Sequence, residues 1–135
     1  MDFNAAGITI LLSFLLLTFL MSAYEKMIEW SKTLEHYQKM YSKTFLKPII
    51  KPLIVLILGF EATVSTFCGL GIYDLITMGN YEFACYGFFT ASLLFFIFLF
   101  GLRLIKDYQG TSRIGVYFLI AVLGLYWAQL LNSIP

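Results

Sequence analysis

Residues 52–73 read PLIVLILGFEATVSTFCGLGIY, an apolar run with a single charged side chain, Glu61, near its middle. A helix needs about 20 mostly apolar residues to cross the hydrocarbon core of a bilayer, and this run supplies them. Pro48 and Pro52 disfavour helix immediately upstream, while Pro52 itself suits the first turn of a new helix. The run is expected to end near Tyr73, because Asp74 to Glu82 contains the turn signal Gly79-Asn80.

Comparable runs lie on either side, at about residues 5–24, 83–103 and 114–131. The composition agrees: 60% of the residues are apolar and 13% charged, against about 45–50% and about 25% in soluble domains. The expectation is an all-α, polytopic membrane protein: four transmembrane helices forming a single domain over residues 1–135, packed as a bundle. Spans and short connections use up the chain, which leaves no separate globular domain and argues against catalysis on a large polar substrate. Nothing resembles a nucleic-acid footprint. The first run follows Met1-Asp2-Phe3-Asn4, with no basic n-region, and reads as a retained span and not a signal peptide.

All nine Lys and Arg residues fall between Lys26 and Lys51 or between Arg103 and Arg113. Basic residues near span ends set topology, so both stretches are expected on the cytoplasmic side and both termini on the outer side. Asp2, Asp74 and Glu82 then face outward, with Tyr73, Tyr81, Tyr86, Tyr126 and Trp127 as an outer aromatic belt. Between the first two spans, Met27, Trp30, Leu34, Tyr37 and Tyr41 recur at steps of three and four, while Lys26, Glu29, Lys32, Glu35 and Lys39 point elsewhere. Residues 25–46 thus read as an amphipathic helix, lying in the interface with Trp30 at headgroup depth or packed on a partner protein. The third span is expected to run on as helix to Gln109 with Gly110 as its stop, and Thr111 or Ser112 to cap the fourth. Lys26, Trp30, Arg103, Lys106, Asp107 and Arg113 are the expected contacts for lipid headgroups or a partner.

Glu61 is the one charge inside a span. An ionised carboxylate at membrane depth costs several kcal/mol, so such a residue faces the bundle interior and finds a partner. It reads either as a proton relay or hydrogen-bond partner for a headgroup such as a quinone carbonyl, or as a neutral carboxyl clamping two helices. Ser65 and Cys68 share its face; Cys85 and Ser92 share a face of the next span. In a hairpin centred between Ile76 and Thr77, Glu61 is level with Ser92 and Cys68 with Cys85. The expectation is a Glu61–Ser92 hydrogen bond, with Cys68 and Cys85 either close enough for a disulfide or buried as free thiols. His36 is the only histidine, so bis-histidine haem ligation within the chain is excluded, and no metal site is assigned. No catalytic residue is assigned either.

Three segments carry a resemblance. Ser22-Ala23-Tyr24-Glu25-Lys26 with Trp30, Glu61 in the second span, and Gly101-Leu102-Arg103-Leu104-Ile105-Lys106-Asp107-Tyr108-Gln109-Gly110 are similar to motifs of the DoxX-like family of small four-helix bacterial membrane proteins, relatives of the MauE type. Ala23 and Leu102 depart from that pattern, which has glycine and glutamine there. The resemblance implies a bundle in the bacterial cytoplasmic membrane and chemistry linked to quinones, thiosulfate or disulfide formation. The first functional expectation is a small accessory subunit in a larger, quinone-linked membrane complex, with quinone as the candidate cofactor. The alternative is a quinone- or thiol-linked redox protein using Glu61, Cys68 and Cys85.

Overall fold

A computed structural model describes residues 3–133 of the chain. It consists of α1 (Phe3–Ile28), α2 (Trp30–Met40), a short 3-10 turn (Lys47–Ile49), α3 (Ile50–Thr77), α4 (Glu82–Leu104) and α5 (Tyr108–Ser133). No strand occurs among the described residues. Four of the helices, α1, α3 with its preceding turn, α4 and α5, are long and apolar enough to cross a membrane. Asp2 lies outside the described residues.

The bundle runs α1 against α3, α3 against α4 and α4 against α5, with lighter contacts closing α5 onto α1. Each helix presents a stripe at alternating steps of three and four, the spacing that keeps one face on a neighbour in a gently supercoiled pair. On α1 the stripe is Ala5, Ile8, Leu12, Leu15 and Phe19; on α3 it includes Ile50, Ile54, Glu61, Cys68 and Leu75. The fully buried residues of α5 are all small, Gly110, Ala121, Gly124 and Ala128, and the Phe88 ring of α4 sits directly on its backbone at Gly124. The outward faces are apolar as well: Ile10, Leu17, Val55, Leu56, Phe96, Phe100, Leu119 and Leu123 are all exposed. An apolar exterior of that extent is costly in water and fits hydrocarbon surroundings, so the chain reads as a multi-pass membrane protein.

Two regions differ from the sequence expectation, and α3 also runs on past Tyr73 to Thr77. α1 does not stop at Tyr24 but continues to Ile28, so Lys26 belongs to the first long helix and not to the connecting one. The expected helix over 25–46 is interrupted at Glu29, whose backbone leaves the helical region (φ −109°, ψ 49°), and its helical part is Trp30–Met40. Trp30, Leu34, Tyr37 and Met40 turn back onto Tyr41, Leu46, Ile50 and Ile54, a cluster that Leu104 and Ile105 at the end of α4 also pack against. Trp30 is therefore half-buried against the bundle.

The second difference is the α4–α5 connection. α4 ends at Leu104 and does not reach Gln109. Lys106 takes a left-handed conformation (φ 60°), and its N–H and that of Asp107 donate to the carbonyls of Arg103 (3.1 Å) and Leu102 (3.0 Å), which closes the helix in a Schellman arrangement. Asp107 then caps α5: its Oδ1 accepts from the Gly110 N–H at 3.0 Å. Gly110 is thus not the stop of α4 but a residue of α5's first turn, and a Cβ there would lie 2.6 Å from the Asp107 carboxylate. Thr111, expected as a cap, instead donates its hydroxyl to the Asp107 carbonyl at 2.7 Å.

The α3–α4 hairpin turns at Met78–Tyr81. Gly79 has φ +66°, a value that suits glycine, and Asn80 Oδ1 accepts from the Glu82 N–H at 3.1 Å. Gly71 packs on the Ala84 backbone and Gly87 on Cys68. The hairpin therefore centres between Thr77 and Met78, one residue later than expected.

Candidate functional site

Ser22 and Lys26 sit one turn apart on α1 and continue the stripe of Leu15 and Phe19, so both project toward α3. There they meet Glu61. Lys26 Nζ donates to Glu61 Oε1 at 2.6 Å and to Ser22 Oγ at 2.6 Å, and Ser22 Oγ donates to the same Oε1 at 3.1 Å. Glu61 has no exposed surface, and the Lys26 side chain is 11% exposed. The ammonium also lies 5.9 Å from the centre of the Phe98 ring, whose face attracts a cation. Two opposite charges removed from water depend on each other, since desolvating either alone costs several kcal/mol.

Two polar atoms of this neighbourhood have no hydrogen-bond partner: Glu61 Oε2 and Ser65 Oγ, both buried on α3. Ser65 thus shares the buried face of Glu61 as expected, yet no bond joins them. The expected Glu61–Ser92 hydrogen bond is not made. Ser92 is buried, but its hydroxyl donates to the Phe88 carbonyl at 2.8 Å. The later hairpin centre places Glu61 level with Leu94, and Glu61 faces α1, where a cation waits. Lys26, expected at the headgroups, is the buried partner of that acid.

Cys68 and Cys85 are free thiols. Cys68 is buried with its Sγ toward Gly87, whereas Cys85 is half-buried. A membrane-permeant maleimide should therefore label Cys85 well before Cys68, followed by peptide mapping; equal rates would contradict this register. Of the other expected contacts, Arg103 is exposed with its guanidinium 4.9 Å from the centre of the Tyr108 ring. Lys106 and Arg113 are exposed, and Asp107 serves as the α5 cap. His36 is exposed on α2.

A cavity of about 380 Å³ opens beside the ion pair. Ser22 and Lys26 form its polar end; Ile50, Ile54 and Ile57 of α3, Phe98 of α4 and Ile114 of α5 form apolar walls. Tyr37, Met40 and Tyr41 cover it from α2 and the turn after it. Tyr41 reaches in because Gly101 has no side chain: a Cβ there would lie 2.9 Å from Tyr41 Oη. Burial, reinforced by the charge of Glu61, pushes the Tyr37 phenol above its ordinary pKa; burial, then Tyr37 and Asp107, do the same to Tyr41. Both phenols therefore keep their protons near neutrality.

Ser22, Tyr37, Tyr41 and Gly101 were not singled out as site residues from the sequence. One signal was available: the α1 stripe, extended by steps of three and four past Phe19, arrives at Ser22 and then Lys26. Comparison of the chain with protein-family models, with curated proteins and with solved structures finds no match.

Proposed function

We propose that this chain is a small accessory subunit of a quinone-linked complex in the bacterial cytoplasmic membrane, DoxX-like in kind, contributing a site for the quinone ring. The observation that carries the reading is the buried Ser22–Lys26–Glu61 cluster at the polar end of an otherwise apolar cavity. Ligand pockets commonly span about 300–1,000 Å³ and combine apolar walls with few polar groups, and this cavity falls in that class. An ammonium has three N–H donors. Two are engaged by Ser22 and Glu61, which leaves one for a carbonyl oxygen at the cavity's polar end. Apolar walls suit a ring.

A bound quinone would supply two-electron, two-proton redox chemistry, with the electrons coming from another subunit. The role of this chain is then to orient the ring through Lys26, itself held in place by Glu61, and to exclude water with the α3 and α4 side chains. The thiols are not part of the proposal, because Cys68 is turned to Gly87. The positive-inside rule supports placing the α2 side of the bundle in the cytoplasm and both termini outside. The exposed Lys32, Glu35 and Lys39 opposite the half-buried Trp30, Leu34 and Tyr37 support α2 as an interfacial helix. The sparsely buried α5 supports a neighbour subunit or lipid on its outer face.

Purification from the native membrane in mild detergent, followed by solvent extraction, tests this. The chain should migrate with a larger assembly carrying extractable quinone, and Glu61→Gln should lower the quinone yield by about tenfold, as for the loss of a charge-assisted contact of 1.4 kcal/mol or more. Migration as a single chain without quinone would end the reading.

A further inference from the structure

We infer that the Tyr41 hydroxyl is a second polar anchor of this cavity, so that the site selects a six-membered ring carrying oxygen at two opposite carbons over the same ring carrying one. The inference rests on the proposed ring site and deepens it, because Lys26 by itself reads one end of a ligand.

Four polar side chains line the cavity: Ser22 and Lys26 from α1, Tyr37 from α2 and Tyr41 just after it. Every other lining residue is apolar or glycine. Ser22 and Lys26 are bonded to each other and to Glu61, so they act as one polar group. Tyr41 stands apart from them. It is 9% exposed, and among the described residues no hydrogen bond engages its hydroxyl. A buried hydroxyl calls for a partner, and this one belongs to the wall of a space large enough to bring one in.

α4 gives the two anchors a common scale. The Lys26 ammonium lies 5.9 Å from the centre of the Phe98 ring, whereas Tyr41 Oη rests over Gly101, where a Cβ would come within 2.9 Å of it. Phe98 and Gly101 lie one turn apart on α4, about 4.5 Å along the axis at 1.5 Å per residue. A single ring lying between those levels has one edge at the ammonium and the opposite edge at the phenol. The protein also holds the second anchor in place: the Tyr41 ring stacks on Tyr37 at 6.4 Å and 24°, and Gly101 leaves room for the hydroxyl. A group fixed in advance loses less freedom when it binds.

The two anchors read different things. An ammonium only donates, whereas a phenol both donates and accepts. Oxygen at the Lys26 end must therefore offer a lone pair, which a carbonyl or a hydroxyl does. At the Tyr41 end a carbonyl accepts from the phenol, and a hydroxyl donates to it. Oxidised and reduced forms of a two-oxygen ring thus fit the same site, while a one-oxygen ring leaves Tyr41 unpaired.

The test uses the full chain in lipid nanodiscs, freed of native quinone and kept under argon. Durohydroquinone and durenol, tetramethylated rings that differ by one hydroxyl, are titrated by calorimetry. Durohydroquinone should bind about tenfold more tightly, as for one added hydrogen bond. Tyr41→Phe keeps the stacked ring and should erase that preference by weakening durohydroquinone alone. Gly101→Ala should erase it with Tyr41 still present, because the added carbon meets the tip of that side chain and no backbone atom. Far-UV circular dichroism checks that each variant holds its helix content. Equal affinity for the two probes in the wild type, or a preference that survives Tyr41→Phe, would overturn the second anchor and leave the ring site standing. Binding of neither probe would overturn the ring site itself, and the anchor with it.

Discussion

Replacing Lys26 with methionine should destabilise the bundle by about 3–5 kcal/mol, the usual cost of removing one partner from a buried ion pair. Methionine nearly matches the lysine stem in shape, so packing against Phe98 survives and the loss isolates the charge. Glu61 would keep one contact, the 3.1 Å bond from Ser22, with no exposed surface through which water could help. Lys26→Met combined with Glu61→Leu removes the charge problem altogether and should recover most of the loss, since apolar replacement of a whole buried pair is often neutral or better. Reversible unfolding in mixed micelles of increasing denaturing detergent measures all three forms. A cost below about 1 kcal/mol for Lys26→Met, the worth of an exposed pair, would mean that Lys26 reaches the headgroups after all.

That pair also marks where sequence reasoning held and where it failed. The four long helices were legible because apolar runs, prolines and the Gly79-Asn80 turn are local signals. The buried acid was legible for the same reason. Its partner was not, because Lys26 and Glu61 are 35 residues apart and the choice between α1 and α4 as neighbour is a question of which way α3 is rotated. A matching polar stripe on α4 made Ser92 attractive, but a hairpin centre one residue later moves Ser92 off Glu61's level, and its hydroxyl is satisfied within α4. The reading of Lys26 as a topology-setting surface charge also cut α1 short: a lysine that finds a buried carboxylate has no reason to end its helix. At the α4–α5 connection, Gly110 was the conventional stop signal. Asp107, three residues earlier, competes for the same backbone by capping α5, and Lys106 takes the strained left-handed position.

Gly124→Ala should destabilise, whereas Gly115→Ala on the same helix should stabilise. Alanine gains about 0.8–1 kcal/mol over glycine in a helix interior, and at Gly115, with nothing within 4 Å of the added carbon, that gain stands alone. At Gly124 the added Cβ would lie 2.5, 2.8 and 2.8 Å from three atoms of the Phe88 ring. Phe88 is fully buried and anchors the α4–α5 contact, so its ring cannot swing aside without moving its neighbours. Overpacking of this kind costs about 1–3 kcal/mol, and more for a larger group, so Gly124→Ala comes out near 1 kcal/mol unfavourable and Gly124→Val at about 2–3 kcal/mol or above. The clash and the helix gain separate in a double-mutant cycle. Phe88→Leu shortens the obstructing side chain, and in that background Gly124→Ala should lose its penalty and behave like Gly115→Ala. An equal penalty in both backgrounds would place the obstruction in the backbone and not in the ring, and would contradict the close seat of Phe88 on α5.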